Sequence, residues 1–328
     1  MKYYNIPIFV PHLGCPFDCV FCNQKKITGA DSDVDENTVR TIIEEHLKFL
    51  PEEDCETEIA FFGGSFTGIR PDLQERLLSA AHEYTGRHGI VGIRASTRPD
   101  YIDKEVISRL LKYGVTTVEL GVQSMDDEVL RLSARGHTKE QVKEAAQLIK
   151  KSGIRLGLQM MTGLPGDTAE KSIDTARQII ALKPEIVRIY PTLVIEGTML
   201  EKLYRNGSYK PQTVEEAAEL CKKLVEMFCE SGINVIRVGL QNTDEISEHG
   251  AVVAGPFHSA FGELTDSLVF YDKIKMAAEK ADIIYVNPRD ISKAVGHKRS
   301  NVERIYKEKN KKIKIMPDES VRRGEIKI

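Results

Sequence analysis

Three cysteines near the amino terminus form the densest cluster of reactive groups in the chain. Cys15, Cys19 and Cys22 stand in Pro11-His-Leu-Gly-Cys-Pro-Phe-Asp-Cys-Val-Phe-Cys-Asn23 with the spacing C-x3-C-x2-C. A loop can fold three thiolates of this spacing around one corner of an iron–sulfur cube. A four-iron cluster normally takes four cysteine thiolates, so three leave one iron open to another ligand. A zinc site is the competing reading. It needs a fourth ligand, which His12 or Cys55 could supply. No signal-peptide pattern opens the chain, so a cytoplasmic, reducing setting is expected, and with it free thiols rather than disulfides.

The remaining cysteines carry less. Cys221 and Cys229 lie in a helical pattern over 214–229, eight residues apart, and are expected to be buried small hydrophobes. Cys55 is expected in an acidic loop, without a role.

The elements that must position the triplet repeat as a strand–helix unit. Short apolar runs rich in β-branched or aromatic residues cover 6–10, 58–62, 90–95, 116–120, 154–160 and 186–190, with a seventh candidate at 234–238. Amphipathic stretches at 39–50, 73–84, 104–112, 139–151 and 171–182 alternate with them. This alternation predicts an α/β fold with a parallel sheet and helices outside. Apolar runs alone do not separate a barrel from a doubly wound sheet. At 328 residues and 41% hydrophobic, the chain has room for one large domain and a small one. No apolar stretch approaches the length that spans a bilayer, so a soluble protein is expected, with no membrane partner.

Further motifs fall at the carboxyl ends of the expected strands. The second strand runs into Phe61-Phe-Gly-Gly-Ser-Phe-Thr-Gly68, where paired glycines allow the backbone to approach a ligand closely. The third ends in Ser96-Thr-Arg-Pro-Asp100 and the fourth in Glu119-Leu-Gly-Val-Gln-Ser124, followed by Arg135-Gly-His137. The fifth leads into Gln159-Met-Met-Thr-Gly-Leu-Pro-Gly166 and the sixth into Arg188-Ile-Tyr-Pro191.

The triplet and these ordered motifs resemble the radical SAM superfamily, and within it the elongator-like and oxygen-independent coproporphyrinogen oxidase-like branch. The resemblance covers roughly residues 5–245 and implies a partial (βα)6 TIM-like barrel with a small C-terminal α+β extension. It also implies a 4Fe-4S cluster on Cys15, Cys19 and Cys22, with S-adenosylmethionine on the open iron. An electron from a reductant such as a ferredoxin or flavodoxin then releases a 5′-deoxyadenosyl radical. Phe21 matches the aromatic residue the family places between the second and third cysteines. By the same resemblance Gly63, Gly64 and Ser65 form the turn that receives the cofactor's amino group. Ser96 and Gln123 align with ribose contacts, Arg135 with the residue that pairs with the methionine carboxylate, and Gln159 and Pro191 with the border of adenine and ribose. An arginine suits a carboxylate because its planar fork meets both oxygens. His137 is open between a helix-capping and a core role, and no role is assigned to His258 in the connector.

Two departures are informative. Ser96 and Gln159 stand where coproporphyrinogen oxidase relatives carry acidic residues, which argues against porphyrin chemistry, and the motifs Ser96–Asp100, Glu119–Ser124 and Arg135–His137 look closer to the tRNA-modifying catalytic subunit of elongator. The cysteine spacing is shorter than is usual in elongator-type enzymes. The acetyltransferase domain those enzymes carry after the radical domain is not expected within 328 residues.

The charge balance supplies a second clue. Residues 291–328 hold 12 Lys+Arg against 5 Asp+Glu, and the first 290 residues hold 34 against 44. A basic module on an acidic body suggests an anionic partner. The division expected is 1–245 for the barrel, 246–281 for a connector and 282–328 for the basic module. Its order of strand, short helix, Gly296-His297-Lys298-Arg299, helix, strand, strand resembles a KH module, whose GXXG loop clamps a nucleic-acid backbone. Arg299 stands where the loop's second glycine belongs. Three functions remain open: a radical enzyme modifying RNA, most plausibly a tRNA base; one acting on a small or porphyrin-like molecule, with a structural tail; and a non-catalytic iron–sulfur protein. The last has no use for the Gly63-Gly64 turn or Arg135.

Overall fold

The structure, a computed structural model, describes residues 2–10, 19–23, 34–51, 55–240, 246–247 and 250–328. Cys15 lies outside these residues. Seven strands form one sheet: β1 (Lys2–Phe9), β2 (Cys55–Phe62), β3 (Ile90–Thr97), β4 (Val115–Gln123), β5 (Arg155–Thr162), β6 (Ile186–Pro191) and β8 (Asn234–Val238). They pair in parallel in the order β1-β2-β3-β4-β5-β6-β8, with β1 and β8 as open edges. This is the partial barrel implied by the resemblance, with a seventh strand. A short antiparallel pair, β7 (Val194–Ile195) and β9 (Val252–Ala254), lies beside it.

The helices are α1 (Glu36–Leu47), α2 (Pro71–His82), α3 (Lys104–Lys112), α4 (Asp127–Leu132), α5 (Lys139–Lys151), α6 (Ala169–Leu182), α7 (Met199–Arg205) and α8 (Val214–Glu230). Their starts are set by polar caps: Asp35, Asp103, Asp126 and Thr168 each accept a backbone N–H three residues on, and Thr138 and Thr213 form capping boxes. These polar first turns explain why α1, α2 and α6 begin two or three residues before their apolar periodicity.

The outward face of the sheet is apolar. Ile59, Ile93, Val118, Leu158 and Ile189 pack against Ile43, Leu77, Leu110, Ile149, Ile179 and Leu224 of the helices, and this is the main core. Cys221 is wholly buried there, and burial pushes its thiol up to about 12. Cys229 is exposed instead, because eight residues advance a helix by about 80° beyond two turns. Cys55 opens β2 rather than sitting in a loop, and its thiol donates to the Pro51 carbonyl at 3.2 Å.

A second core lies in the C-terminal part. Helix α9 (Phe261–Ala277) joins the two, with Phe261 and Leu264 on the barrel core and Phe270, Tyr271 and Ile274 in the smaller one. Strands β10 (Ile283–Val286), β11 (Lys314–Pro317) and β12 (Ile326–Lys327) form a sheet with β10 at its centre. Helices α10 (Ile291–Val295) and α11 (Ser300–Lys309) complete the α+β extension.

Candidate functional site

Strand register decides what the concave side of the barrel carries. Phe9, Phe62, Ser96, Gln159 and Arg188 fall on the face opposite the apolar one, with Glu58, Arg94 and Glu119 among them. Arg94, 2% exposed, pairs with Glu58 at 2.6 Å and with Glu119 at 2.7 Å, and Arg188 pairs with the other Glu119 oxygen at 2.6 Å. Tyr3, Thr116 and Thr117 donate hydroxyl hydrogen bonds to Glu58. Burial works to raise the Glu58 carboxyl, but Arg94 and the hydroxyl donors outweigh it and hold the group below its ordinary value. None of the sequence motifs points to this network. Its only signal was one charged residue inside each of four otherwise apolar runs.

The motif residues converge above that network, at the carboxyl ends of β2 to β5. Gly63 has φ +88°, and a side chain there would put Cβ 2.6 Å from the Val10 carbonyl, so only glycine lets the turn pass the end of β1. Gly64 beside it is half-buried. The Ser65 hydroxyl lies 2.8 Å from that of Thr97 and accepts the Arg98 N–H at 3.3 Å. Arg98 is held by Asp100 in a two-bond ion pair and donates to the Arg135 carbonyl at 2.5 Å. Gln123 sits at a register shift with φ +66°, and Gln159 donates to its side-chain oxygen at 3.4 Å. Ser96 is half-buried on the concave face, and Pro191 ends β6 beside Thr162.

Arg135 links this group to the cysteine segment. It is 6% exposed, donates from Nη2 to the Gly121 carbonyl at 2.7 Å and from Nη1 to the Cys19 sulfur at 3.3 Å. Among the described residues its Nε, fully buried, has no hydrogen-bond partner. Leaving a buried donor unpaired costs about 1–3 kcal/mol, which an acceptor bound at this spot would recover. The backbone of Val20 fixes the segment at both sides, donating to the Ser133 carbonyl and accepting from Leu200 N–H at 2.7 Å. Phe21 packs with Val20, Val194, Leu200 and Tyr209, and Cys22 closes a turn onto the Cys19 carbonyl at 2.9 Å.

Two motif residues have structural partners. His137 is buried with Nε2 3.2 Å from the Val122 carbonyl; burial, then the Arg135 and Arg98 cations, push its pKa down to about 3. It is a neutral core histidine, and the cap of α5 is Thr138. Asp167 accepts from Gly163 N–H, Thr168 N–H and the Ser172 hydroxyl, and burial raises its carboxyl. The loop it ties together borders a cavity of about 450 Å³ that also touches Leu132, Leu203 and Tyr209. His258 is exposed, and its Nδ1 accepts from Ala260 N–H at 3.1 Å.

In the extension, Gly296-His297-Lys298-Arg299 projects between α10 and α11. Lys298 and Arg299 are both exposed and left-handed, at φ 50° and 66°. Buried Asn301 braces the junction by donating to the Ser267 and Ala294 carbonyls. Of the basic residues in 291–328, six have acidic neighbours, including Lys293 with Asp266 and Lys309 with Glu279. Lys298, Arg299, Lys307, Lys312, Lys314 and Arg322 have none among the described residues.

Comparison with known proteins matches residues 9–179 to the radical SAM superfamily and residues 184–268 to a radical SAM C-terminal domain. The chain is 35% identical over 196 residues to the tRNA uridine(34) acetyltransferase of Methanocaldococcus infernus, covering 54% of this chain and 37% of that protein. It is 31% identical over 203 residues to human Elongator complex protein 3, covering 56% and 37%. It thus spans little more than a third of the length of these curated relatives. The solved structure of archaeal Methanocaldococcus infernus Elp3, with an N-terminal deletion, superposes with TM-score 0.66 at 27% identity, covering 86% of this chain and 64% of that one. No helix among the described residues is long and apolar enough to cross a membrane.

Proposed function

Because the chain belongs to the radical SAM superfamily, and is thereby an enzyme with a 4Fe-4S cluster and S-adenosylmethionine as cofactors, we propose that it uses them to modify a base of tRNA. When bound and reduced, the cluster supplies the electron that cleaves the sulfonium of S-adenosylmethionine to a 5′-deoxyadenosyl radical.

The residues present fit these groups. Cys19 and Cys22 stand at the mouth of the barrel, and Cys15 completes the triplet in sequence. The observation that carries the reading is Arg135, whose guanidinium contacts the Cys19 sulfur while its buried Nε has no partner among the described residues. In this reading Arg135 receives the cofactor's carboxylate, and the Arg98–Asp100 pair positions it through its carbonyl. Gly63, Gly64 and Ser65 hold the amino end, Ser96, Gln123, Gln159 and Pro191 line the nucleoside, and Phe21 packs the cysteine segment.

The RNA part rests on the relatives named for tRNA uridine modification and on the uncompensated charges of the extension. Lys298 and Arg299, on the loop from Gly296 and His297, then grip phosphates, and a ferredoxin or flavodoxin serves as reductant. Two measurements test the proposal. Dithionite-reduced, reconstituted protein should form 5′-deoxyadenosine, and it should bind total tRNA with an affinity that falls as salt rises. Cofactor cleavage without tRNA binding at low salt would replace RNA by a small-molecule substrate.

A further inference from the structure

The concave face holds one more cation than its carboxylates can neutralise. Arg188 on β6 stands directly beside Arg237 on β8, because the pairing skips Ile236 after Val187 meets Val235. Strands lie about 4.8 Å apart, so two like charges in register repel and destabilise the sheet. Glu119 does not compensate both, since its oxygens are already shared by Arg94 and Arg188. Among the described residues the Arg237 side chain makes no ion pair or hydrogen bond. Such an arrangement becomes favourable when an anion sits between the two guanidinium groups.

Aromatic surface borders the same place. Phe9 and Phe62 face each other across β1 and β2 with ring centroids 6.2 Å apart, and the Arg188 guanidinium lies 5.4 Å over the Phe62 ring. Phe9 is 41% exposed although it sits in a strand of the main sheet. An accessible ring pair beside an unbalanced cation pair has the chemistry of nucleotide binding, by stacking and charge together.

We propose that Arg188 and Arg237, with the Phe9–Phe62 ring pair, form a subsite for one nucleotide unit of the substrate, the arginines taking its phosphate and the rings its planar base. The subsite rests on the RNA reading above and adds where the reacting nucleotide is held. It is distinct from the Gly296–Arg299 loop.

The test uses small probes that the loop does not need to grip. Uridine 5′-monophosphate, uridine and inorganic phosphate are titrated into the intact protein by ligand-detected NMR. The monophosphate should bind about tenfold tighter than uridine, as expected for one charged hydrogen-bonded contact. Arg237→Gln should erase that preference, and Phe9→Leu should weaken both nucleoside probes while sparing the preference. Arg237→Gln should also leave the melting temperature unchanged or higher, because it relieves a repulsion. Phosphate alone binding as tightly as the monophosphate would remove the base from the subsite and overturn it. An undiminished preference in Arg237→Gln, or no nucleotide binding by the wild type, would also overturn it. Retained tRNA binding in those cases would leave the RNA reading standing, whereas its absence would remove both.

Discussion

The barrel and the extension handle charge in opposite ways. On the concave face, buried Glu58, Arg94 and Glu119 share one network with partly buried Arg188, and each pairs with an opposite charge within 3 Å. In the extension the charges lie on the surface, and six of the basic groups of 291–328 face no acid among the described residues. A buried charge must be paired because desolvation is costly, while an exposed one costs little. Uncompensated cationic groups inside the barrel, such as the Arg135 Nε and, among the described residues, Arg237, therefore mean more than those on the surface of the extension. In the two proposals above, each is where a ligand anion completes the electrostatics.

The largest effect should come from the cysteines. Changing Cys15, Cys19 and Cys22 together to alanine should abolish iron–sulfur absorption and four-iron content, measured after anaerobic reconstitution. Retained iron would return the triplet to an incidental role. Next, Glu58→Gln or Arg94→Met strands a buried partner and should cost about 3–5 kcal/mol of unfolding free energy in urea. Lys275, which pairs with Glu308 on the extension surface, serves as control; Lys275→Gln should leave the urea midpoint nearly unchanged. Equal effects would erase the contrast between the two regions.

Arg135→Ala should weaken S-adenosylmethionine binding by about 2 kcal/mol, tens-fold in affinity. Unchanged affinity would make Arg135 a scaffold for Cys19 alone. His137 gives a pH signature of the barrel interior. Its folded pKa of about 3 lies below the ordinary 6.5. The unfolded chain therefore binds the extra proton between these values, and stability falls as pH drops through that window. The slope should approach about 1.4 kcal/mol per pH unit, and His137→Phe should flatten it in urea melts at stepped pH.

The smallest effect belongs to the extension. Lys298→Ala with Arg299→Ala should reduce the log–log salt slope of tRNA binding by about one to two units, without altering cofactor cleavage. A change in melting temperature with an unchanged slope would show that the loop merely packs.

The order of strands and helices could be read directly because the outward face repeats. Helices α3 and α5 span the stretches 104–112 and 139–151 that the amphipathic pattern marks, each starting straight after a polar cap, Asp103 and Thr138. Strand β1 begins four residues earlier than its apolar run, because the strand's opening residues are polar. The cysteine spacing and the strand-end motifs were equally legible, being local patterns. What only the tertiary structure decided lies between distant residues. Arg135 meets Cys19 across 116 positions, and Arg94 meets Glu58 across 36. The pairing of Arg188 with Arg237 depends on a register shift that composition does not encode. Apolar periodicity reports which side of an element leaves water. The polar side of the barrel is organised by charge pairs between separate strands, and those exist only once the chain has folded.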